Sequence, residues 1–258
     1  MKIKVATWNV NSIRARLERL LAWLEKAEPH VVCLQELKVP DEDFPAEEMA
    51  EAGYHAAVHG QRTYNGVAIL SRESISNVST GMGNGVSDPE ARIIRARTYE
   101  IDVVSVYVPN GREVGSDKWD YKLEWLSRLG SYVERSFNSG SHALIAGDFN
   151  IAPEDRDVAN PDRWRESVLC HAAGREKLEE IVGRGLVDAI RLHHHNGGPY
   201  SWWDYRRLAF PKGDGLRIDH ILTTGTLAER CVDAYVERDE RKGKKPSDHA
   251  PVVAVFDL

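Results

Sequence analysis

The sequence is poor in cysteine, and its few cysteines are badly placed for cross-linking. Only three occur, Cys33, Cys170 and Cys231, an odd number spread widely along the chain. Cys33 and Cys231 fall in strand-like segments, where a small sulfur-containing side chain is usually buried. We therefore expect no disulfide framework, no zinc site and no thiol chemistry.

Long hydrophobic runs are missing as well. The first residues, Met1 to Val10, alternate charged and apolar side chains and contain no signal-peptide core. No later apolar run approaches the length of a transmembrane helix. These absences predict a soluble, cytoplasmic protein with no membrane partner.

Positive charge is in short supply. The chain has 34 lysines and arginines against 40 aspartates and glutamates, which gives a formal net charge of -6. This balance argues against a general polyanion-binding protein, so any anionic partner must meet a local basic face. The basic stretch from Arg238 to Lys245 is normally read as a solvated charge run, but here it closely precedes His249.

Apolar residues and alternating secondary structure, by contrast, are plentiful. With 258 residues, 42% of them hydrophobic, and no linker, we expect a single domain over residues 1–258. Apolar patterns predict strands at 3–7, 30–35, 54–59, 66–71, 92–99, 101–108, 143–146 and 252–256. Helical spacing predicts a helix capped by Ser12 that ends before Pro29, and others at 45–52, 118–137 and 175–182.

The stretch from Ala143 to Pro153 carries the strongest chemical signal. A buried-strand pattern ends at Gly147, whose missing side chain permits a close backbone approach, and Asp148 and Asn150 follow it. If the strand continues, both side chains point to one side, as a base and an amide would at the edge of a sheet. Aspartate and asparagine are also ordinary turn formers, so a plain turn is the alternative.

Other polar residues fall at predicted strand ends. Asn9 lies on the loop between the first strand and the first helix, and Glu36 ends the second strand. A carboxylate there is either a metal ligand or the point where solvent begins, and the two interpretations are evenly balanced. Tyr107 ends a later strand, where an aromatic ring usually packs and is only seldom a catalytic phenol.

Three arginines of the first helix lie largely off its apolar stripe. We interpret Arg16 and Arg19 as a solvent-exposed face, the usual place of such residues. Arg14 is close to Asn9 in sequence, so it is a candidate for contact with a phosphate.

The segment from Tyr200 to Arg207 combines four aromatic residues with two arginines. This composition suits stacking on nucleic-acid bases and contact with phosphates, although core packing is the usual fate of tryptophan. Further along, Asp219 begins a strand, and only the fold can bring it to His249. The run His193 to His195 is interpreted as a surface loop rather than a metal site, because neighbouring side chains diverge.

Seven short motifs follow one another along the chain: TWNVNSIRAR (7–16), LQELK (34–38), YVPNG (107–111), GDFNIAP (147–153), WWDYR (202–206), RIDHIL (217–222) and KPSDHAPV (245–252). In type and order they resemble the exonuclease III family of apurinic/apyrimidinic (AP) endonucleases. The resemblance covers the whole chain. It implies the α/β (α+β) fold of the endonuclease/exonuclease/phosphatase superfamily, a DNase I-like four-layer α/β sandwich of two packed mixed β-sheets flanked by helices.

The resemblance also implies roles for individual residues. Asp148 would activate the attacking water, Asn150 would hold that water or the developing charge, and His249, oriented by Asp219, would bind the scissile phosphate. The implied catalytic residues are Tyr107, Asp148, Asn150, Asp219 and His249. The implied ligands of Mg²⁺, for which Mn²⁺ would substitute, are Asn9, Glu36, Asp148, Asn150, Asp248 and His249. The implied DNA contacts are Arg14, Arg92, Asn110, Trp202, Trp203 and Arg206.

The function implied by the resemblance is that of a monomeric DNA-repair nuclease. It would hydrolyse DNA phosphodiesters with Mg²⁺, incise abasic sites on their 5′ side to leave a 3′-hydroxyl, and degrade or clean 3′ ends of duplex DNA. One alternative with the same fold is a phosphatase or phosphodiesterase acting on inositol phosphates or phospholipids, against which the 202–206 patch argues. Another is a catalytically silent DNA-binding module, against which the competent residue at every implied catalytic position argues.

Overall fold

Twelve strands occur in the computed structural model of the protein, which describes residues 1–83, 85–86, 88–138 and 140–258. They are β1 (Lys2–Asn9), β2 (Val31–Gln35), β3 (His55–His59), β4 (Val67–Ser71), β5 (Ser76–Thr80), β6 (Ile93–Thr98), β7 (Ile101–Tyr107), β8 (Ala143–Asp148), β9 (Leu186–Asp188), β10 (Asp219–Thr224), β11 (Cys231–Val236) and β12 (Val252–Asp257).

Eight α-helices connect or cover these strands within the same residues. They are α1 (Ile13–Ala27), α2 (Ala46–Glu51), α3 (Asp117–Ser136), α4 (Pro161–Trp164), α5 (Ala172–Val182), α6 (Ala189–His193), α7 (Ala209–Lys212) and α8 (Gly225–Ala228). Short 3₁₀ turns lie at Asp41–Asp43, Asp155–Asp157 and Arg238–Arg241.

The strands form two six-stranded sheets, with the orders β11-β12-β1-β2-β4-β3 and β5-β6-β7-β8-β10-β9. Each sheet contains one parallel pair, β1 with β2 and β7 with β8, among antiparallel pairs, so both sheets are mixed. Their inner faces share one core, to which Val5 and Ile69 contribute from the first sheet and Val103 and Ile221 from the second. Helix α1 packs on the outer face of the first sheet, and α3 and α5 on that of the second. The predicted four-layer sandwich is confirmed.

Local sequence explains how α1 begins and ends. The Ser12 hydroxyl accepts a hydrogen bond from the Ala15 amide, as predicted for an N-cap, and the helix ends at Ala27 ahead of Pro29. Asn9 is the last residue of β1 rather than part of the loop, a small correction to its predicted place.

The predicted exposure of two arginines on α1 is wrong. The Arg16 guanidinium donates to the Asn11 and Pro246 carbonyls and to the Tyr205 hydroxyl. Arg19 donates to the carbonyls of residues 240, 242 and 244. Both are half-buried, because the loop that precedes β12 folds back over this face of α1. The charged face of α1 therefore forms hydrogen bonds to the loop that precedes β12 instead of facing solvent.

Strand β5 was not predicted from the sequence. Its five residues, Ser76 to Thr80, are all exposed and carry no apolar alternation. The strand forms because it pairs with the edge of β6, a contact that no local pattern reveals.

The three cysteines are free thiols, as the sequence predicted. Cys33 and Cys170 are buried, and Cys231 is half-buried. Burial raises the pKa of Cys33 to about 12, so this thiol stays protonated.

Of the helices described, none has both the length and the apolar character needed to cross a membrane.

Candidate active site

Strand register brings three candidate residues to one edge of the second sheet. Tyr107 of β7 pairs with Asp148 of β8, and Asp148 pairs with Asp219 of β10. The close approach predicted at Gly147 is real, since a Cβ there would lie 1.9 Å from the Val106 carbonyl oxygen. Glycine thus allows β8 to lie flush against β7 directly before the Asp148 carboxylate.

Asp219 and His249 form a buried pair. The imidazole Nδ1 lies 3.1 Å from Asp219 Oδ1 and 2.9 Å from Oδ2. The Ser201 hydroxyl donates to Oδ2 at 2.6 Å and accepts the backbone N–H groups of Ile218 and Asp219. Burial alone would lower the pKa of His249, but the Asp219 and Asp148 carboxylates override it and raise that pKa. The imidazole is therefore held in place and favoured in its charged form.

Asp148 lies on the other side of the imidazole. Its Oδ2 lies 3.6 Å from His249 Nε2 and accepts the Asn9 side-chain amide at 2.9 Å. Its Oδ1 accepts the backbone N–H of Asn150 at 2.8 Å. Burial, which exceeds the opposing effect of His249, raises the pKa of the Asp148 carboxyl. A carboxylate with a raised pKa is suited to take a proton near neutral pH.

Of the two interpretations of the 148–150 segment, the structure shows the turn, since β8 ends at Asp148. In this turn the Asn150 backbone has the left-handed conformation (φ +52°), and its N–H donates a hydrogen bond to the Asp148 carboxylate. The same turn sends the Asn150 side chain to the Val108 carbonyl and to Asn110, whose amide donates to Asn150 Oδ1 at 2.9 Å. The turn thus places the backbone N–H of Asn150 at the Asp148 carboxylate and directs the Asn150 side chain to the loop after β7.

Glu36 joins the site from the first sheet. Its Oε1 accepts the Asn9 amide at 2.8 Å, so one amide nitrogen bridges the carboxylates of Glu36 and Asp148. The Lys38 ammonium lies 2.8 Å from Glu36 Oε2 and donates to Asn11 Oδ1. The predicted proximity of Asn9 and Glu36 is present, although the Asn9 oxygen accepts the Asn11 N–H.

Negative charge exceeds positive charge in this region, and oxygen ligands dominate. Among the residues that the structure describes, Asp148, Asp219 and His249 form a cluster whose ligand atoms lie within 4.8 Å of one another and that could hold a metal ion. Two carboxylates that share a single amide donor, Glu36 and Asp148, add the oxygen donors that a hard cation prefers. The residues present therefore fit a metal ion.

Asp248 and Tyr107 flank this cluster. The Asp248 carboxylate accepts hydrogen bonds from Asn11 Nδ2 at 2.9 Å and from Trp202 Nε1 at 3.1 Å. Burial, together with the Glu36 and Asp148 carboxylates, raises the pKa of Tyr107 well above its usual value. Tyr107 is therefore a neutral phenol, able to donate a proton in a hydrogen bond.

The predicted DNA contacts divide according to exposure. Arg206, with 84% of its side chain exposed, forms an ion pair with Asp204, and Arg14 is exposed beside Asp43. Trp202 is half-buried and meets Trp164 edge to face, with ring centroids 5.7 Å apart. Asn110 is exposed next to the site.

Two of the predicted DNA contacts are wrong because the side chains are buried. Trp203 is 1% exposed and packs against Phe210 and Ala250 in a small core. Arg92 is 8% exposed, forms an ion pair with Glu90, and lies 4.9 Å from the centre of the Tyr107 ring. Neither side chain presents a surface to a duplex.

Several residues at the site were not found from the sequence. Ser201 and Asn11 gave no signal, since a lone serine or asparagine in a loop is ordinary. Lys122 did leave a signal, because it falls on the apolar stripe of α3 between Trp119 and Leu126. A lysine at a core position of a helix is unusual enough to identify from the sequence.

Known proteins are similar to this chain in sequence and in fold. The profile of the Endonuclease/Exonuclease/phosphatase family matches residues 6–249. Exodeoxyribonuclease III of Haemophilus influenzae is 37% identical over 266 positions, which cover 98% of this chain and 100% of that protein. An AP endonuclease from Archaeoglobus fulgidus has a TM-score of 0.96 at 43% identity, covering 99% of this chain and 100% of that one.

A second solved structure is similar over the same extent. The 3′ phosphatase from Neisseria, solved bound to a product DNA hairpin, has a TM-score of 0.96 at 38% identity, covering 99% of this chain and 100% of that one. The chain belongs to the endonuclease/exonuclease/phosphatase family and, within it, to the nucleases of the exonuclease III type.

Proposed function

We propose that the protein hydrolyses DNA phosphodiesters with the help of Mg²⁺, which Mn²⁺ can replace. It incises abasic sites on their 5′ side to leave a 3′-hydroxyl, and it acts as a 3′-to-5′ exonuclease and 3′-end-cleaning enzyme on duplex DNA. The observation that carries this proposal is the buried imidazole of His249 between the carboxylates of Asp219 and Asp148, beside Glu36.

Each polar group has a distinct part in the proposed reaction. The His249 imidazolium, held by Asp219, donates a charged hydrogen bond to a phosphate oxygen. Asp148, with its raised pKa, accepts the proton of the attacking water. Asn150 and the neutral phenol of Tyr107 offer hydrogen bonds to the water and the phosphate.

The carboxylates that Asn9 aligns, those of Glu36 and Asp148, would hold the metal ion. Its chemistry there would be neutralisation of the charge that develops on the phosphate. Asp248 accepts hydrogen bonds from Asn11 and Trp202 beside the active site, so we assign it to support of the metal region. Because Asp219 engages His249 Nδ1, we assign Nε2 of the imidazolium as the hydrogen-bond donor to the phosphate.

The proposed DNA-binding surface surrounds the active site. Trp202 and Asn110 lie at the site, and Arg206 extends from it with most of its side chain exposed. Exposed basic residues of the neighbouring loops, Arg207, Lys244 and Lys245, supply the local positive charge that the net charge of -6 does not. This charge distribution favours a polyanionic duplex over a small headgroup.

We further propose that residues 1–258 form one domain that acts as a monomer. The two sheets share a core, which supports the first statement. All the groups assigned above come from one chain, which supports the second.

One assay tests the proposed function. A duplex with a single abasic site and a duplex with a recessed 3′ end are incubated with the protein and Mg²⁺, with and without excess EDTA. We expect incision and 3′ degradation only when the divalent cation is free. Full activity in excess EDTA contradicts the metal requirement, and hydrolysis of inositol phosphates without DNA cleavage contradicts the substrate.

Glu36→Ala extends this assay to the proposed metal ligands. Loss of one of two carboxylates should lower turnover on the order of a hundredfold at saturating substrate, because charge on the transition state is less well neutralised. Circular dichroism should remain that of the wild type, since Glu36 is half-buried at a strand end. Wild-type turnover in this variant at limiting Mg²⁺ would show that Glu36 is not a ligand.

A further inference from the structure

Lys122 is a buried lysine behind the candidate active site. It lies in the second turn of α3 and is 0% exposed. Its ammonium donates to the backbone carbonyl oxygens of Asn150 at 2.8 Å, Asn110 at 3.2 Å and Val168 at 2.6 Å. An ammonium has three N–H donors, so all of them are used. Burial lowers the pKa of Lys122 to about 7, with the Asp148 carboxylate opposing the shift.

The three carbonyls belong to three different loops. Asn110 follows β7, Asn150 follows β8, and Val168 lies between α4 and α5. The first two loops carry the linked amides, in which Asn110 Nδ2 donates to Asn150 Oδ1 at 2.9 Å. The backbone N–H of Asn150 in turn holds Asp148 Oδ1. One ammonium therefore connects the backbone of both asparagines with the carboxylate next to them.

The chain leaves space for this side chain in a specific way. Gly111 has φ +92°, and a Cβ there would lie 3.0 Å from Lys122 Cδ and 3.2 Å from Trp119 Cε3. The Trp119 ring also lies next to the lysine, with its centroid 5.6 Å from the ammonium. The lysine stem therefore packs closely against the glycine, and a side chain at residue 111 would displace it.

We propose that Lys122 is a positioning residue for hydrolysis. By holding the carbonyls of Asn110 and Asn150, it sets the left-handed turn at Asn150 and aligns the amide with Asp148. Through Val168 it fixes to the same point the loop that follows α4, the helix that ends at Trp164. This inference rests on the proposed function, because that function assigns Asn150 and Asp148 to the reaction.

Lys122→Met is the main test, with Lys118→Met as its matched control. Methionine keeps an unbranched stem but removes the charge and all three donors, whereas Lys118 is an exposed lysine on the same helix. Since small misplacements of catalytic groups are costly, we expect kcat on an abasic duplex to fall about 30-fold with KM changed less than about threefold. Lys118→Met should retain the wild-type kcat. An unchanged kcat in Lys122→Met, or equal losses in the two variants, overturns the proposal.

A double mutant separates positioning from general damage to the fold. If Lys122 acts through Asn150, the variant Lys122→Met/Asn150→Ala should be no slower than the slower of its two single variants. Losses that multiply would mean that the two residues act independently, which contradicts the inference.

A spectroscopic measurement makes the result independent of activity. The side-chain amide signals of Asn110 and Asn150 in ¹H–¹⁵N spectra should shift in Lys122→Met and stay in place in Lys118→Met. If Lys122→Met does not fold, Lys122→Gln, which retains two donors, should give an intermediate kcat and smaller shifts. Unshifted amides overturn the positioning role. If the wild type cleaves no DNA, the proposed function fails, and the amide shifts still decide whether Lys122 holds the two asparagines.

Discussion

Two buried charged clusters lie next to each other near the start of β10. In one, positive and negative charges are paired, and in the other the carboxylates outnumber the cations. In the first, the Arg217 guanidinium is 2.7 Å from Asp157 Oδ1 and 2.7 Å from Asp188 Oδ2, and Arg191 also pairs with Asp157. Burial would raise the pKa of Asp188, but Arg217 and its neighbouring cations lower it. Each charge in this cluster has a partner.

The second cluster, at the active site, has more carboxylates than cations. Asp148 and Asp219 flank His249, and the Asn9 amide links Glu36 to Asp148. Lys38 lies at the periphery, beside Glu36. The pKa values of Asp148 and His249 are both raised, so this cluster favours bound protons and cations. The comparison shows how similar side chains serve two ends: a balanced buried cluster maintains the fold, and one with excess negative charge is ready for catalysis.

Disrupting the Arg217 cluster should have the largest effect of all, and this effect should be a loss of stability. Arg217→Met leaves Asp157 buried without its full compensation, so we expect the free energy of unfolding to fall by about 3–5 kcal/mol. Urea unfolding measures this loss. The matched control is Arg163→Met, which removes an exposed arginine from its ion pair with Asp214 and should cost less than about 1 kcal/mol. Equal losses in both variants would show that the buried Arg217 cluster contributes no more to stability than an exposed ion pair.

Breaking the active-site cluster should instead reduce turnover. Asp219→Asn and His249→Asn should each lower the rate on an abasic duplex on the order of a hundredfold or more, because the charged donor to the phosphate is lost. Residues that act as a unit are non-additive, so the double variant should be little slower than the worse single variant. Single-turnover rate constants decide the matter, and multiplicative defects would mean that the pair is not coupled.

A smaller effect is expected from Trp202 and Trp203, which allow the same comparison between a residue that serves function and one that serves the fold. Trp202→Ala should slow cleavage of an abasic duplex about tenfold while hydrolysis of a small phosphodiester changes little, because a stacking surface is lost. Trp203→Ala, in contrast, should lower the free energy of unfolding and both activities together, since Trp203 is 1% exposed. Equal losses on both substrates for Trp202→Ala would point to a packing role.

The smallest effects should appear in the pH dependence of stability, with opposite signs. Asp188 has a lowered pKa, so its contribution is present above its ordinary value of 3.8 and is lost as the pH falls through the folded-state pKa. Asp188→Asn should therefore be less stable than the wild type at pH 7 by about 1–2 kcal/mol, because a charged hydrogen bond to Arg217 becomes a neutral one. The difference should shrink in acid.

For Asp148 the pH dependence of the contribution to stability has the opposite sign. Its pKa is raised from 3.8, so ionisation favours the unfolded chain and costs stability as the pH rises from 3.8 through the folded-state pKa. Asp148→Asn should gain stability relative to the wild type between pH 4 and pH 7, by roughly 1 kcal/mol, with little gain in acid. Urea unfolding at several pH values measures both curves, and slopes of the same sign would refute the contrast.

Residues at strand ends were predictable because the signal is local. A period-two or continuous apolar pattern shows where a strand ends, and the polar residue that follows is read directly from the sequence, as for Asp148 and Glu36. Gly147 was identified for the same reason, although the group that approaches it, the Val106 carbonyl, belongs to another strand.

The burial of long side chains was not predictable in this way. Arg19 was expected in solvent and instead donates to carbonyls of residues that lie 221 to 225 positions away along the chain. Trp203 was expected on DNA, but a Cβ at Gly215 would lie 2.4 Å from its Nε1, so the opposing chain closes over the ring. These environments are created by contacts between distant segments.

The amino-acid pattern alone was enough to predict the longer helices, most of the strands and the chemical type of each residue at the strand ends, because these depend on spacing along a few residues. It did not reveal β5 or the shortest helices. The partners of those residues required the folded chain. His249 meets Asp219 across a separation of 30 residues, and Asn9 meets Asp148 across 139. Register, burial and charge balance arise from such distant contacts, and they decide which of two similar carboxylate clusters can react.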